Sequence, residues 1–267
     1  MFHTKEGTVK LGSSEMEYIR FGSGKRTLVM LPGLGDAIRT MKGTALPMAV
    51  LYRLFSKEFT VYAFSRKTVL PQGYTTRDMA MDQARAMELL GIEKADIFGV
   101  SMGGMIAQYL AVDFPEKVGK LILSVTSARS NPLLVESIEE WVAFARSGDH
   151  TGFMDSNLRR IYSDGYYRKN KWMVPVIAKL TKPKSYERFF VQAQACLTHD
   201  AYDRLDQIRA MTLVIGGEQD KALGGNPSRE IAGRIPGAEL RMYPEWGHGV
   251  YEEAKDFNQV ILGFLLR

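Results

Sequence analysis

The feature that most constrains the fold is an alternation of short apolar runs with longer segments of helical periodicity. Nearly continuous apolar runs occupy residues 27–31 (TLVML) and 59–64 (FTVYAF), and residues 75–91 then repeat small and apolar side chains along one helical face. Short apolar runs of this kind are typical of strands that helices cover on both sides. Strands that alternate with helices predict an α/β fold with a mostly parallel sheet.

The alternation continues along the chain but stops between residues 131 and 208. Further strands are predicted at 15–21, 96–100, 120–125, 212–216 and 238–243, and further helices at 102–114 and at the C-terminus. Residues 131–208 contain helical stretches and no strand pattern. We therefore predict an α/β core formed by residues 1–130 and 209–267, with residues 131–208 inserted between two strands as a helical cap.

Composition excludes several classes of protein and of site. Hydrophobic residues make up 45% of the chain and charged residues 24%, which is typical of globular proteins rather than disordered, collagenous or coiled-coil chains. The net charge of +5 is too small to indicate nucleic-acid binding. One cysteine, Cys196, and four scattered histidines provide neither a disulfide nor the ligand spacing of a zinc or iron–sulfur site. We expect no metal and no cofactor.

The sequence also predicts the cellular compartment. The first ten residues lack the apolar run of a secretory signal, and no stretch approaches the roughly 20 apolar residues that cross a bilayer. We therefore expect a reduced, cytoplasmic protein without a membrane span. The oligomeric state does not follow from the sequence.

A serine motif lies at the junction between the predicted strand 96–100 and the helix that follows it. Its residues are Gly99-Val100-Ser101-Met102-Gly103, and composition alone gives about 0.1 such G-x-S-x-G matches by chance. On a tight strand-to-helix turn the serine hydroxyl is exposed in a strained conformation, and the flanking glycines let backbone and helix pack closely. The motif therefore predicts that Ser101 is a nucleophile.

A serine nucleophile requires a base and an acid that orients the base. His248 lies between glycines in the loop before the last helix, whereas the other histidines lie near the N-terminus or within the insertion. Asp220 follows the predicted strand 212–216, at the edge of the sheet where α/β proteins place their sites. We predict His248 as the base and Asp220 as the acid. Glu218 is the alternative acid, and an aspartate at such a position is also a common turn former.

The same chemistry needs two backbone N–H groups to bind an oxyanion. One is expected from Met102, which follows Ser101 at the start of a helix. The other is expected from Leu34 in the glycine-containing loop 31–36 (LPGLGD). The alternative for this loop is a plain glycine turn without a catalytic role.

Four segments carry these candidate residues: LPGLGD (31–36), GVSMGG (99–104), DRLDQIRAMTLVIGGEQD (203–220) and WGHGVYEE (246–253). Together they resemble the α/β-hydrolase superfamily, and specifically its capped serine esterases and lactonases, typified by 3-oxoadipate enol-lactonases. The order Ser101, Asp220, His248 is that of the catalytic triad in this superfamily. The resemblance covers nearly the whole chain outside the insertion. It is specific for fold and triad but not for substrate.

The chain departs from the usual pattern of this superfamily at three places. Leu31-Pro32 replaces the common His-Gly, residues 65–71 replace an acidic, glycine-rich turn, and Met211 replaces a proline. The first two departures alter the mouth of the expected pocket. The substrate of any one relative therefore does not carry over to this chain.

Two features of the insertion concern the substrate. Residues 159–184 contain eight basic residues and one acid, Asp164; this excess suits an anionic substrate, an acidic lipid surface or a solvated helix face. Aromatic side chains suit an apolar lid over the acyl or aryl part of an ester. We predict Trp141 and Trp172 as pocket residues, together with Trp246 from the loop of the predicted base. Packing between insertion and sheet is the alternative for these side chains.

These inferences predict a cofactor-free serine hydrolase that cleaves a small carboxylic ester or lactone through an acyl-enzyme. The expected partner is a small molecule, and a roof formed by residues 131–208 favours short acyl chains. Two alternatives keep the same residues: an acyltransferase whose cap excludes water, and a ligand sensor with slow turnover. Fast multiple turnover in water distinguishes the hydrolase from both.

Overall fold

A computed structural model describes residues 3–267 of the chain. Its centre is an eight-stranded sheet. The strands are β1 (Lys5–Leu11), β2 (Ser14–Phe21), β3 (Arg26–Leu31), β4 (Phe59–Phe64), β5 (Ala95–Val100), β6 (Val118–Ser124), β7 (Met211–Gly217) and β8 (Glu239–Tyr243). The helices of the described chain are α1 (Ala45–Leu51), α2 (Thr76–Leu89), α3 (Met102–Asp113), α4 (Pro132–Ser147), α5 (His150–Ile161), α6 (Asp164–Asn170), α7 (Val174–Thr181), α8 (Glu187–Leu197), α9 (Asn226–Arg234), α10 (Val250–Glu253) and α11 (Phe257–Leu266).

The strands are arranged in the order β1-β2-β4-β3-β5-β6-β7-β8. The first two pairings, β1 with β2 and β2 with β4, are antiparallel, and every later pairing is parallel. The expectation of a mostly parallel sheet is therefore confirmed. Because β3 to β8 run in the same direction, the loops that follow them meet at one edge of the sheet.

Helices cover both faces of this sheet, which explains the continuous apolar runs of its strands. One apolar cluster packs α2 and α3 against the sheet, and a second cluster packs α1 and α11 against the opposite face. Neighbouring strand residues contribute to opposite clusters, as Val29 and Leu28 of β3 do. Successive side chains of a strand point to opposite faces, so a strand covered on both sides is apolar throughout.

The chain leaves the sheet after β6 and returns to it at β7. Between these strands lie α4 to α8 and two short 3-10 helices (Lys171–Met173 and Tyr202–Gln207), and the described residues 131–208 contain no strand. The base of this insertion is closed where the N–H of Ala201 donates to the carbonyl of Ala128 at 2.8 Å. An isolated antiparallel bridge joins Arg129 to Asp200 beside it. The predicted helical character of this segment agrees with the structure.

Strand β1 and helices α1 and α9 are elements that the sequence patterns did not predict. Strand β1 pairs only with β2 and buries only Val9, so its sequence lacks an apolar run.

None of the helices within residues 3–267 combines the length and the apolar composition that a membrane span requires.

Helix α3 and strand β3 approach each other closely through their backbones. A methyl group on Gly103 would stand 1.9 Å from the carbonyl oxygen of Leu31, and one on Gly99 would stand 2.5 Å from the carbonyl oxygen of Gly103. Glycine is therefore required at both positions, because the atoms in the way belong to backbone that cannot rotate aside.

We expect Gly103→Ala to lower the free energy of unfolding by about 3 kcal/mol or more, because α3 must move away from β3. Gly233→Ala is the matched control, since a methyl group there meets nothing within 4 Å and alanine in a helix is favoured by about 0.5–1 kcal/mol. Urea unfolding of both variants measures the difference. Equal effects would contradict the close packing of α3 on β3.

Candidate active site

Four loops at the carboxyl edge of the parallel strands bring the predicted site residues together. Leu34 follows β3, Ser101 follows β5, Asp220 follows β7 and His248 follows β8. The edge of a parallel sheet where these loops converge is the usual position of a ligand site in α/β proteins. Topology alone thus places all four residues on one side of the molecule.

Ser101 occupies a strained turn between β5 and α3. Its φ of 54° and ψ of −122° lie in a region that non-glycine residues rarely adopt, at a cost of roughly 1–3 kcal/mol. Backbone and side-chain contacts hold the turn: the N–H of Ser101 donates to the carbonyl of Ser124 at 2.9 Å, and the hydroxyl of Thr126 donates to the carbonyl of Ser101 at 2.7 Å. Val125, between these two partners, also has a positive φ of 42°. The residues that follow β6 therefore support the turn that carries the serine.

His248 and Asp220 form a buried pair. Nδ1 of His248 lies 2.8 Å from Oδ2 of Asp220, and both side chains are almost fully enclosed. The other carboxylate oxygen of Asp220 accepts the N–H groups of Ala222 and Leu223, each at 2.8 Å. With both oxygens engaged, the carboxylate is fixed in one orientation and holds the imidazole through Nδ1. Nε2 of His248 is then the nitrogen available to a reacting group.

Ser101 and His248 line the same cavity. In the part of the chain that the structure describes, no hydrogen bond joins the hydroxyl of Ser101 to the imidazole. Catalytic hydrogen bonds are often long before substrate binds and shorten in the reacting complex. The geometry therefore brings together a strained serine, an oriented imidazole and an enclosed carboxylate.

The alternative acid and the other histidines have different partners. Glu218 pairs with Arg229 and not with the imidazole of His248. His199 is buried against the hydroxyl of Thr76 at 2.9 Å, and burial lowers its pKa to about 3. His150 lies between the hydroxyls of Tyr186 and Thr181. Neither histidine lines the cavity that Ser101 and His248 share.

The loop after β3 lies against the turn that carries Ser101. A methyl group on Gly33 would be 3.4 Å from Cβ of Ser101, so the loop backbone runs alongside the serine. Leu34 begins a short 3-10 helix, Leu34–Ala37, and lines the cavity. Met102 is the first residue of α3, whose first N–H groups have no acceptor within the helix. Both predicted oxyanion residues are thus adjacent to Ser101.

A buried ionic cluster stabilises the loop after β3. Asp36 accepts from the N–H of Arg66 and from the guanidinium of Arg188, each at 2.9 Å, while the guanidinium of Arg66 donates to the carbonyl of Pro32 at 2.6 Å. Arg66 is almost completely buried. Burial lowers the pKa of Arg66, and the neighbouring carboxylate of Asp36 opposes that shift. The cluster joins the loop after β3, the loop after β4 and helix α8 of the insertion.

The sequence analysis did not identify the residues of this ionic cluster as part of the site. Asp36 and Arg66 follow the ends of β3 and β4, which are neighbouring parallel strands. The sequence could have indicated that Asp36 and Arg66 are close together, because loops at the ends of adjacent parallel strands lie side by side. Arg188 offered no signal, since an arginine on a helix is normally a solvated residue.

The cavity beside Ser101 has a volume of about 320 Å³. Five of its lining residues come from the insertion: Trp141, Phe153, Asn157, Ile161 and Phe189. Most of its other walls are apolar residues of the core. The structure brings Trp141 to the cavity as predicted but leaves the other two predicted tryptophans outside its lining. Trp172 is 72% exposed on the insertion, and Trp246 packs half-buried against the apolar cluster beneath α11.

One wall of the cavity is polar. Glu252 of α10 lines it and accepts a hydrogen bond from the hydroxyl of Tyr162 at 2.7 Å. Desolvation by the surrounding protein raises the pKa of Glu252, and the hydroxyl of Tyr162 opposes that shift. Within residues 3–267, no group of three or more histidine, cysteine, aspartate or glutamate side chains is placed to hold a metal ion.

Comparison with known proteins agrees with this architecture. A family described as the alpha/beta hydrolase fold matches residues 26–255. The chain belongs to this family. Among solved structures, this α/β hydrolase is similar to MGS-M2, an alpha/beta hydrolase enzyme from a Medee basin deep-sea metagenome library, with a TM-score of 0.85, 23% identity and 98% of each chain covered. It is also similar to the enol-lactonase from Burkholderia xenovorans LB400, with a TM-score of 0.81 and 22% identity, over 98% of this chain and 100% of that one.

Curated relatives of this α/β hydrolase are named as hydrolases. A 2-hydroxy-6-oxononadienedioate/2-hydroxy-6-oxononatrienedioate hydrolase from a Pseudomonas species is 29% identical over 72% of this chain and 71% of its own length. A 2-hydroxy-6-oxo-6-phenylhexa-2,4-dienoate hydrolase from Burkholderia cepacia is 28% identical over 74% of this chain and 77% of its own. The resemblance found in the sequence is confirmed, and the protein is a hydrolytic enzyme of the α/β-hydrolase type.

We expect Arg66→Met to lower the free energy of unfolding by about 3–5 kcal/mol, because it removes a buried charge partner of Asp36. Arg85→Met is the control: Arg85 pairs with Glu88 on an exposed helix face, where an ion pair contributes about 0–1 kcal/mol. Chemical unfolding monitored by circular dichroism measures both. A loss at Arg66 no larger than at Arg85 would show that the cluster does not anchor the loop.

Proposed function

We propose that this α/β hydrolase is a cofactor-free serine hydrolase that cleaves a small carboxylic ester or lactone. The observation that carries the proposal is the buried pair of His248 and Asp220, joined at 2.8 Å, with His248 lining a cavity together with the strained Ser101. A serine hydroxyl attacks a carbonyl only when a neighbouring base accepts its proton, and an oriented imidazole is such a base.

In the first half of the proposed reaction, Oγ of Ser101 attacks the carbonyl carbon and transfers its proton to Nε2 of His248. Asp220 stabilises the imidazolium that forms, through the hydrogen bond to Nδ1. The carbonyl oxygen becomes an oxyanion, which accepts hydrogen bonds from the N–H groups of Leu34 and Met102. Collapse of this intermediate breaks the carbon–oxygen bond, and the leaving alkoxide takes the proton from His248.

In the second half, water hydrolyses the acyl-enzyme. His248 accepts a proton from the attacking water, and the same N–H groups bind the second oxyanion. Collapse returns the proton to Oγ of Ser101 and releases the carboxylic acid. For a lactone, the leaving alcohol stays attached to the acyl group, so that one hydroxy acid leaves after the second half. No cofactor is needed at any step.

The substrate is proposed to be small because the cavity is small. Its volume of about 320 Å³ is near the lower end of the range of about 300–1,000 Å³ found for ligand pockets. We propose that residues 131–208 act as a cap, since Trp141, Phe153 and Phe189 of this segment line the cavity. Apolar walls around one oriented polar group suit the acyl part of a short ester.

We expect Ser101→Ala to lower turnover of a short-chain aryl ester by about 10⁴–10⁶-fold. The melting temperature should be maintained, because only a cavity-lining oxygen is removed. A serine-reactive organophosphonate should label the peptide that contains Ser101 in the unchanged protein and not in the variant. Ser147→Ala, at the exposed end of α4, is the control for both assays. More than a tenth of the activity remaining in Ser101→Ala would refute the nucleophile assignment.

We expect Asp220→Asn to lower turnover by about 10⁴-fold, because an amide favours the wrong tautomer of the imidazole. Glu218→Gln should leave turnover nearly unchanged, since Glu218 pairs with Arg229 rather than with His248. Measurement of kcat for both variants with one ester compares the two candidate acids. The reverse pattern, with an inactive Glu218→Gln and an active Asp220→Asn, would exchange their roles.

A further inference from the structure

The segment around α7 exposes an apolar face to solvent. Trp172 is 72% exposed, Val176 58% and Leu180 80%. Val176 and Leu180 are four positions apart in α7, so they lie on one side of the helix, and Trp172 lies in the 3-10 helix that leads into it. The opposite side is also apolar, because Val174 and Ala178 are buried against the rest of the protein. Helix α7 is therefore apolar on the face that packs and on the face that meets solvent.

Exposed cations surround this apolar face. They are Arg168, Lys169, Lys171, Lys179, Lys182 and Lys184, all of them exposed. Residues 165–186 contain these six basic residues and no acid, which leaves 29 basic and 30 acidic residues in the rest of the chain. The positive net charge of the protein is thus confined to this segment. We call the three apolar residues and six cations the α7 patch.

Nearby carboxylates do not neutralise the α7 patch. Asp164 pairs with Lys221 of the core, Asp149 caps the start of α5 through the N–H of Gly152, and Asp155 accepts from the hydroxyl of Tyr167. Within residues 3–267, none of the six cations forms an ion pair with a carboxylate. The patch therefore presents an apolar centre with unneutralised positive charge around it.

We propose that the α7 patch docks this enzyme on the surface of an anionic phospholipid bilayer. Aliphatic and tryptophan side chains flanked by lysines are what an interfacial helix inserts below the headgroups while its cations contact lipid phosphates. A second copy of this chain fits poorly, because a two-fold contact through the patch sets six cations against six. A nucleic acid would use the cations but leave Val176 and Leu180 exposed.

Docking in this orientation brings the cavity close to the lipid surface. Helix α7 packs on α5, and the contact is fixed where His150 of α5 lies 3.1 Å from the hydroxyl of Thr181 at the end of α7. Asn157 and Ile161 of the same α5 line the cavity. Docking would therefore hold the cavity one helix away from the lipid surface.

Co-sedimentation with vesicles tests the proposal in the Ser101→Ala protein, so that lipid hydrolysis plays no part and the result is independent of the proposed activity. We expect binding to vesicles of phosphatidylglycerol and phosphatidylcholine, no binding to phosphatidylcholine alone, and release by added salt. Lys171→Glu with Lys179→Glu should weaken binding by about tenfold or more. Lys5→Glu with Lys10→Glu in β1 changes the net charge equally and should leave binding within about twofold.

The apolar part is tested by Leu180→Ser, with Met211→Ser as the control. Both side chains are exposed, at 80% and 56%, and Met211 begins β7 at the amino edge of the sheet, away from the patch. Only Leu180→Ser should weaken vesicle binding. Equal losses in the two charge variants, or no binding to anionic vesicles, would overturn the proposal. Equally strong binding to duplex DNA, or self-association in sedimentation velocity that Leu180→Ser abolishes, would also overturn it.

Discussion

Helix α3 lies against the backbone of strand β3 at Gly103, and the rest of the site is built around that contact. Because Gly103 lies directly on the carbonyl of Leu31, the chain must turn sharply between β5 and α3, and Ser101 takes a positive φ at this turn. The loop after β3 begins at the same point of contact. The packing of one helix on one strand thus sets both the exposure of the serine hydroxyl and the separation of the two proposed oxyanion donors.

Two buried carboxylates lie at this edge of the sheet, and they have different effects. Asp220 is engaged by two backbone N–H groups and by His248, and its effect is to orient the side chain of the proposed base. Asp36 is engaged by Arg66 and Arg188, and its effect is to orient a backbone segment. A carboxylate is stable away from water only when such partners surround it. Each of these two acids therefore requires a fixed geometry around it.

The sequence predicted the parts of the fold that a single local pattern determines. Strands that are covered on both faces have continuous apolar sequences. The alternation of these strands with helices then placed the residues that follow them, such as Ser101 and Asp220, at one edge of the sheet. Strand β1 was missed because an edge strand that buries only Val9 carries no such run.

Two other features depended on contacts that no local pattern encodes. Asp36 and Arg188 are 152 positions apart in the chain, and an ion pair over that separation follows only from the tertiary structure. Trp172 was expected in the pocket but is exposed, because it lies in the short 3-10 helix before α7 and its position in the chain does not determine which way its side chain points. Trp246 was chosen for its closeness to His248 in the chain, whereas adjacent residues of a loop turn their side chains in different directions.

The closed base of the insertion has an evolutionary consequence. The chain departs and returns at neighbouring points, where Ala128 bonds to Ala201 and Arg129 bridges to Asp200. About seventy residues between them are therefore attached to the sheet as a loop whose ends already meet, and longer loops add little closure entropy. Exchange of this loop for that of another member can therefore change the cavity walls that Trp141, Phe153 and Phe189 form while the strand order is kept. Such an exchange must retain a partner for Asp36, because Arg188 of the insertion also holds the loop after β3.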